Sequence, residues 1–179
     1  MDKSLNIAAP RRLHGSQYGL MCPSDSPDGK SIGFIKAFTT FCWLSTPTSA
    51  NELMDALDST ELLVWTGDIH PSTWNPAWTR VFLNSDLVGV VTEDTESFHE
   101  ILLEKRRSGE IHRFVSLAWN RLNNTYTIWC DGGRPVRPVL RPGITAEKLA
   151  GAKTWQATEE LFDWIDAEES DTLMISMTP

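Results

Sequence analysis

The sequence predicts an α+β fold, rich in strands and built from two or three small units that include an α/β module. Three observations lead there. Apolar runs bounded by turn residues occur as pairs, in R-V-F-L-N-S-D-L-V-G-V-V from Arg80 and in I-H-R-F-V-S-L-A-W followed by T-Y-T-I-W-C-D. Two other segments, 51–59 and 96–109, space their apolar residues for a helix. Between Arg11 and Lys36, Gly19, Pro23, Pro27, Gly29 and Gly33 interrupt the chain too often for either regular structure. A chain of 179 residues is long enough for one core or two small ones.

Residues 1–10 have no periodicity and read as a loose leader. Residues 11–36 then turn repeatedly, with Arg11, Arg12, His14, Asp25, Asp28, Lys30 and Lys36 set between the turns. By composition this is a surface Ω-loop with solvated charges. The same build suits a loop held near a polyanion or an active centre. Residues 31–45 carry no charge apart from Lys36, and their β-branched and aromatic content predicts a buried strand or a strand broken at Gly33. Phe34, Phe38, Phe41 and Trp43 are then core residues.

Ser49 or Asn51 is placed to cap a helix over 51–59, with Glu52 and Asp55 near its positive end and Leu53, Met54 and Leu57 on its apolar face. Residues 66–79 read as a loop. Its Trp74 and Trp78 are suited to stacking bases, or more simply to anchoring the loop on a neighbouring surface. The hairpin that begins near Thr79 turns at Asn84-Ser85-Asp86. The helix after Thr95 buries Phe98, Ile101 and Leu102 and ends in Lys105, Arg106 and Arg107 before Gly109. Basic residues in a last turn followed by Gly are the order the helix dipole and the C-cap favour. Two strands joined at Asn123-Asn124 follow, then an extended arm, D-G-G-R-P-V-R-P-V-L-R-P-G. Its Arg134, Arg137 and Arg141 are suited to clamping phosphates or carboxylates of a partner. A short helix capped by Thr145 opens the last segment, where Asp163, Asp166, Glu168, Glu169 and Asp171 read as a solvated acidic stretch, without the spacing of a calcium loop.

The net charge of −8 argues against free-standing nucleic-acid binding. The charge is uneven: residues 1–50 hold five basic and three acidic side chains, whereas residues 145–179 hold two basic and eight acidic ones. Only the N-terminal part suits a phosphate-facing role. Cys22, Cys42 and Cys130 contain no C-x-x-C pair, which argues against a zinc ribbon. There is no run of eighteen apolar residues and no signal-peptide pattern, so the expectation is an intracellular chain without a membrane segment.

The run R-x-L-H-x-S-x-Y-G-x-x-C-P-S-D-S-P-D-G-K-x-I-G-F-I-K, from Arg11 to Lys36, resembles a signature of the second-largest, beta-type subunit of multisubunit DNA-directed RNA polymerases. Asp25 and Asp28 stand where most members carry Glu, and Phe34 where most carry Leu; the Asp replacements are similar to those in polymerase subunits of large DNA viruses. From Arg80 to Leu140, V-F-x-N, a helix ending K-R-R-x-G, and D-x-G-R-x-x-R-P resemble the external domain of the same subunit. L-F-D-W-I-D-A-E-E-S-D-T-L-M-I-S-M resembles the short linking domain that follows.

The resemblance implies three units: a fork-region signature segment at 1–50, an external α/β domain at 51–144 and a linking domain at 145–179. It implies that the arginines of the G-R-P-V-R-P run are structural, and that Arg11, Arg12, His14, Asp28 and Lys30 lie nearest nucleic acid or the incoming nucleotide. No catalytic and no metal-binding residue is expected in this chain. Polymerisation in this family uses two Mg²⁺ ions held by an aspartate motif of the largest subunit, so this segment is expected to bind no cofactor itself and to be inactive when isolated. The implied partners are the largest subunit, the remainder of the second-largest subunit, the DNA template and the RNA–DNA hybrid. The implied location is the nucleus for a cellular source, and host cytoplasm, host nucleus or virion for a viral one. The alternative is a free-standing, polymerase-derived interaction module, a split-gene product or an assembly decoy. A third possibility, an independent enzyme with a metal at His99 or His112 and the acidic tail, lacks paired ligand spacing.

Overall fold

Two sheets carry the fold, and the computed structural model describes residues 7–176. The larger sheet has five strands: β2 (Leu63–Trp65), β3 (Thr79–Leu83), β4 (Asp86–Val91), β5 (Ser116–Asn120) and β6 (Thr125–Trp129). Their spatial order is β2-β4-β3-β6-β5, antiparallel except where β3 runs beside β6. The smaller sheet places β7 (Pro135–Leu140) between β1 (Trp43–Leu44) and β8 (Phe162–Asp166), all antiparallel. Among the described residues there are five α-helices: α1 (Ala50–Asp58), α2 (Thr95–Ser108), α3 (Ala146–Gly151), α4 (Trp155–Glu159) and α5 (Ala167–Thr172).

The larger sheet buries one face because its register aligns the apolar residues. Val81 pairs with Tyr126 and Leu83 with Ile128, and Ile128 pairs in turn with Leu117. Side chains alternate across a strand, so these five share a face. Leu53 and Leu57 from α1 and Phe98 and Leu102 from α2 pack with them in one buried cluster. Phe98 meets the Tyr126 ring edge-on at 5.2 Å. The β3–β4 hairpin forms as expected, with Asn84 and Ser85 both at positive φ in a two-residue connection that suits the twist of the strands. In α1, Ala56 takes the buried place expected for Met54, which is exposed. Ser49 precedes the helix but makes no side-chain cap bond. Asp94 caps α2 by accepting from the Ser97 N–H, and Gly109 closes it in the left-handed conformation.

Three expectations fail. The run 31–45 is not a buried strand. Only Trp43 and Leu44 pair regularly, and Phe38, Phe41 and Trp43 are exposed while Phe34 is half-buried. The turns around Gly29 and Gly33 consume the first part of this run, and no strand of the described residues lies beyond it to pair the rest. The acidic stretch is not simply solvated, because Asp166 and Glu169 are buried, Asp163 is half-buried, and all three meet arginines. The leader also differs from expectation. Residues 1–6 lie outside the described residues, but Ala9–Arg11 form a 3-10 turn whose Pro10 carbonyl accepts from the Lys36 ammonium at 3.4 Å.

Ion pairs fasten the last segment to the rest. Arg106 of α2 grips Glu169 of α5 with two hydrogen bonds, at 2.8 and 2.9 Å, in a fully buried pair. Burial pushes the Glu169 carboxyl up; it would push Arg106 down, but Glu169 outweighs that and holds Arg106 protonated. Glu169 also accepts from the Leu117 N–H of β5. Asp163 of β8 accepts from both Arg107 and Arg141, and Arg134 bonds Asp166 at 2.5 Å. The basic end of α2 and two arginines of the extended arm therefore hold carboxylates of this same chain. For the G-R-P-V-R-P run this agrees with a structural role at Arg134, whereas Arg137, its other arginine, holds no carboxylate among the described residues.

Candidate nucleic-acid interface

The signature from Arg11 to Lys36 folds as a chain of tight turns stapled to itself. Three 3-10 turns, at Ala9–Arg11, Gly15–Gln17 and Gly29–Ser31, succeed one another. The Arg11 guanidinium donates to the carbonyls of Lys30 at 3.1 Å and Ile32 at 2.8 Å, and lies over the Phe34 ring at 4.4 Å. The Ser26 hydroxyl accepts from the Gly33 N–H at 2.7 Å and donates to the Ile35 carbonyl. Lys36 donates to the Gly33 carbonyl at 2.5 Å. Gly33 has a positive φ of 73°, and a Cβ there would stand 2.2 Å from the Arg11 carbonyl oxygen. Only glycine allows the two limbs of the loop to approach this closely.

The loop is fixed to the body at its base. Met21 and Phe38 form a bridge, with the Cys22 N–H donating to Ala37 at 2.8 Å and the Thr39 N–H to Leu20 at 3.0 Å. Leu20 is its one buried apolar residue in the signature. The Gly15–Gln17 turn lies against α5.

Of the five residues expected nearest nucleic acid, the structure gives Arg11 a staple inside the loop and leaves four side chains exposed. Arg12, Asp28 and Lys30 face solvent, with Asp28 opening the turn that contains Lys30. His14 is exposed as well, and its Nδ1 meets the Ser16 hydroxyl at 2.9 Å and accepts from the Ser16 N–H, which fixes the ring at the start of the Gly15–Gln17 turn. Arg11 and Lys30 are brought together, the first holding the backbone of the second. Trp74 and Trp78 contact each other edge-on at 6.3 Å.

Two features lay outside the sequence reading. One is the Arg106–Glu169 pair, whose partners stand 63 residues apart, so that nothing local in the sequence marks it. The other is a groove of about 700 Å³ between the signature loop, β7 and α4, with Arg137 in its lining. His99 and His112 are not joined to the acidic tail. His99 sits beside Tyr126, 2.8 Å from its hydroxyl, and His112 stacks edge-on against Phe114. Among the described residues no group of three His, Cys, Asp or Glu is placed to hold a metal ion. No helix of the described residues is long and apolar enough to cross a membrane.

A turn-rich loop, clamped from within and carrying exposed basic side chains on an α+β body, defines a presenting scaffold. Comparison with known proteins gives that scaffold a family. The model described as RNA polymerase Rpb2, domain 3, matches residues 1–44, and that described as RNA polymerase Rpb2, domain 4, matches residues 81–141. Together they take in more than half of the chain. The DNA-directed RNA polymerase II subunit RPB2 of Encephalitozoon cuniculi is 28% identical over 99% of the chain, and the DNA-directed RNA polymerase subunit 2 of Acanthamoeba polyphaga mimivirus 28% over 98%. The DNA-directed RNA polymerase subunit Rpo2 of Sulfolobus acidocaldarius is 29% identical over 94%. The chain spans 16%, 15% and 17% of the length of these relatives. It belongs to the family of second-largest RNA polymerase subunits.

Proposed function

We propose that this chain serves as part of a DNA-directed RNA polymerase second-largest subunit, where it positions nucleic acid and supports the active centre without itself carrying catalytic residues. The observation that carries this reading is the stapled signature loop. Its bonds are spent internally on holding shape, while Arg12, His14, Asp28 and Lys30 are left exposed on its outside. A loop ordered before it meets its ligand loses little entropy on contact, which is what precise placement of a hybrid requires. Lys30 and Arg12 supply positive charge for phosphates. Asp28 would repel a phosphate, so its role is to orient the basic groups beside it. Arg11 acts one step back, by holding the turn that presents Lys30.

The remaining polymerase subunits, the template and the RNA–DNA hybrid are the partners this reading requires, and Mg²⁺ belongs to residues outside this chain. The test is site-specific. A photoreactive benzoyl-phenylalanine replaces His14 or Lys30 in the assembled polymerase, which is then irradiated on a template during transcription. Crosslinks to template or transcript are expected, together with a severalfold loss of salt resistance of the elongation complex in Arg12→Ala/Lys30→Ala. Crosslinks to protein alone, with salt resistance unchanged, would overturn the placement. The free-standing interaction module would show itself differently: the chain would not enter a polymerase at all.

A further inference from the structure

The groove between the signature loop, β7 and α4 is walled by apolar side chains that nothing in the described chain covers. Phe41 is 72% exposed and Trp155 61% exposed, and Tyr18 and Trp43 also stand open. Large apolar side chains clustered on a concave surface mark a site of association. The floor of this groove also has an unusual charge. Arg134, Arg137 and Arg141 recur along the same arm, and the first and third each hold a carboxylate, Asp166 and Asp163. Arg137 pairs with no carboxylate among the described residues, in a chain whose acidic side chains outnumber its basic ones by eight. Its Nε is buried without a hydrogen-bond acceptor. Gly19 makes room for it, since a Cβ there would stand 2.7 Å from the Arg137 side chain, and the guanidinium lies 5.7 Å from the centre of the Tyr18 ring.

A cation without a carboxylate partner, set among aromatic walls, calls for an occupant with a carboxylate among apolar groups, met by the terminal nitrogens of Arg137.

We infer that this groove docks a segment of a partner polypeptide in which an Asp or Glu side chain is flanked by large apolar residues, the carboxylate meeting the Arg137 guanidinium. Beside six aromatic side chains the lining has Leu13, Met21, Pro23 and Pro138, and it includes the carboxylate of Glu159, which is paired with Arg113. That mixture favours a peptide over a strand of nucleic acid, which would meet stacking faces without an acid nearby. The inference rests on the groove and does not depend on the polymerase reading.

The test uses the purified full chain and a phage-displayed library of random dodecapeptides. Enriched peptides are synthesised, and their binding is followed by tryptophan fluorescence. Enrichment of an acidic residue between apolar ones is expected. Affinity should fall at least tenfold when that residue is exchanged for its amide, and likewise in Arg137→Gln and in Phe41→Ser. Phe41 projects into solvent, so its replacement leaves the core intact, and thermal melting checks that both variants fold. Four results would overturn the proposal: no acidic-apolar consensus; peptides that bind Arg137→Gln and Phe41→Ser as well as the parent; tighter, Arg137-dependent binding of oligothymidylate; or a dimer in sedimentation that Phe41→Ser dissolves, which would give the groove to a second copy of the chain. Failure here would leave crosslinking by the signature loop untouched.

Discussion

Gly33 shows how much one residue decides. It lets the Arg11 backbone and the 29–33 turn touch, and the Arg11 side chain then locks the contact. Gly33→Ala puts a methyl group into the Arg11 carbonyl and strains a positive φ, at a local cost of about 1–3 kcal/mol. We expect limited proteolysis to cut residues 11–36 several times faster in this variant, while the larger sheet keeps its melting temperature. His99 provides a second prediction. Burial, then Arg106, Arg121 and Arg107, lower its pKa to about 4 against a slight opposing pull from Glu96. An unfolded histidine titrates near 6.5, so the unfolded chain takes up the proton first as pH falls. The stability contributed by neutral His99 is therefore complete above about pH 6.5 and is lost progressively toward pH 4, by on the order of 2 kcal/mol. Denaturant titrations at pH 7 and pH 4.5 should show a smaller difference in His99→Gln than in the parent. At this scale the sequence was legible for the turn glycines, whose backbone role is local. It was silent on His99, because what lowers its pKa first is burial beside Tyr126 of β6, which only the tertiary fold brings about, and then Arg106, Arg121 and Arg107.

The elements divide in the same way. The β3–β4 hairpin and α2 could be read because their signals are short-range: a two-residue turn, an acidic start, a basic end and a closing glycine. β8 was missed because F-D-W-I-D looks like half of a solvated surface, yet its acids point at arginines 22 to 56 residues away. Burial by itself would raise the Asp163 carboxyl, but Arg107, Arg106 and Arg141 outweigh it and hold it below the ordinary range. The stability it contributes is present above its unfolded value, near 3.9, and disappears as pH falls below it. Asp163→Asn should thus lower the melting temperature at pH 7 and shrink the loss of stability on acidification to pH 3. At α5 the stakes are higher. Glu169→Ala strands Arg106 in the core, and breaking a buried pair from one side costs about 3–5 kcal/mol. We expect a correspondingly lower denaturation midpoint in urea, with partial recovery in Glu169→Ala/Arg106→Leu.

For the whole molecule, the α+β class and the family were legible, since the signature and the external-domain pattern are continuous in sequence. What the sequence concealed was how the parts join. β7 is bonded on one side by β1 and on the other by β8, so it joins residues 43–44 to residues 162–166. The aromatic run 31–45 read as core because apolar composition does not say whether the covering surface belongs to the same polypeptide. The chain accounts for about one-sixth of the length of its relatives, and an open aromatic groove fits a piece that works in company. The most direct test of that claim is to recover the tagged chain from its source cells under native conditions and identify by mass spectrometry what comes with it. The account predicts a largest-subunit polymerase polypeptide together with the rest of a second-largest subunit. A stable monomer that brings down neither would contradict it.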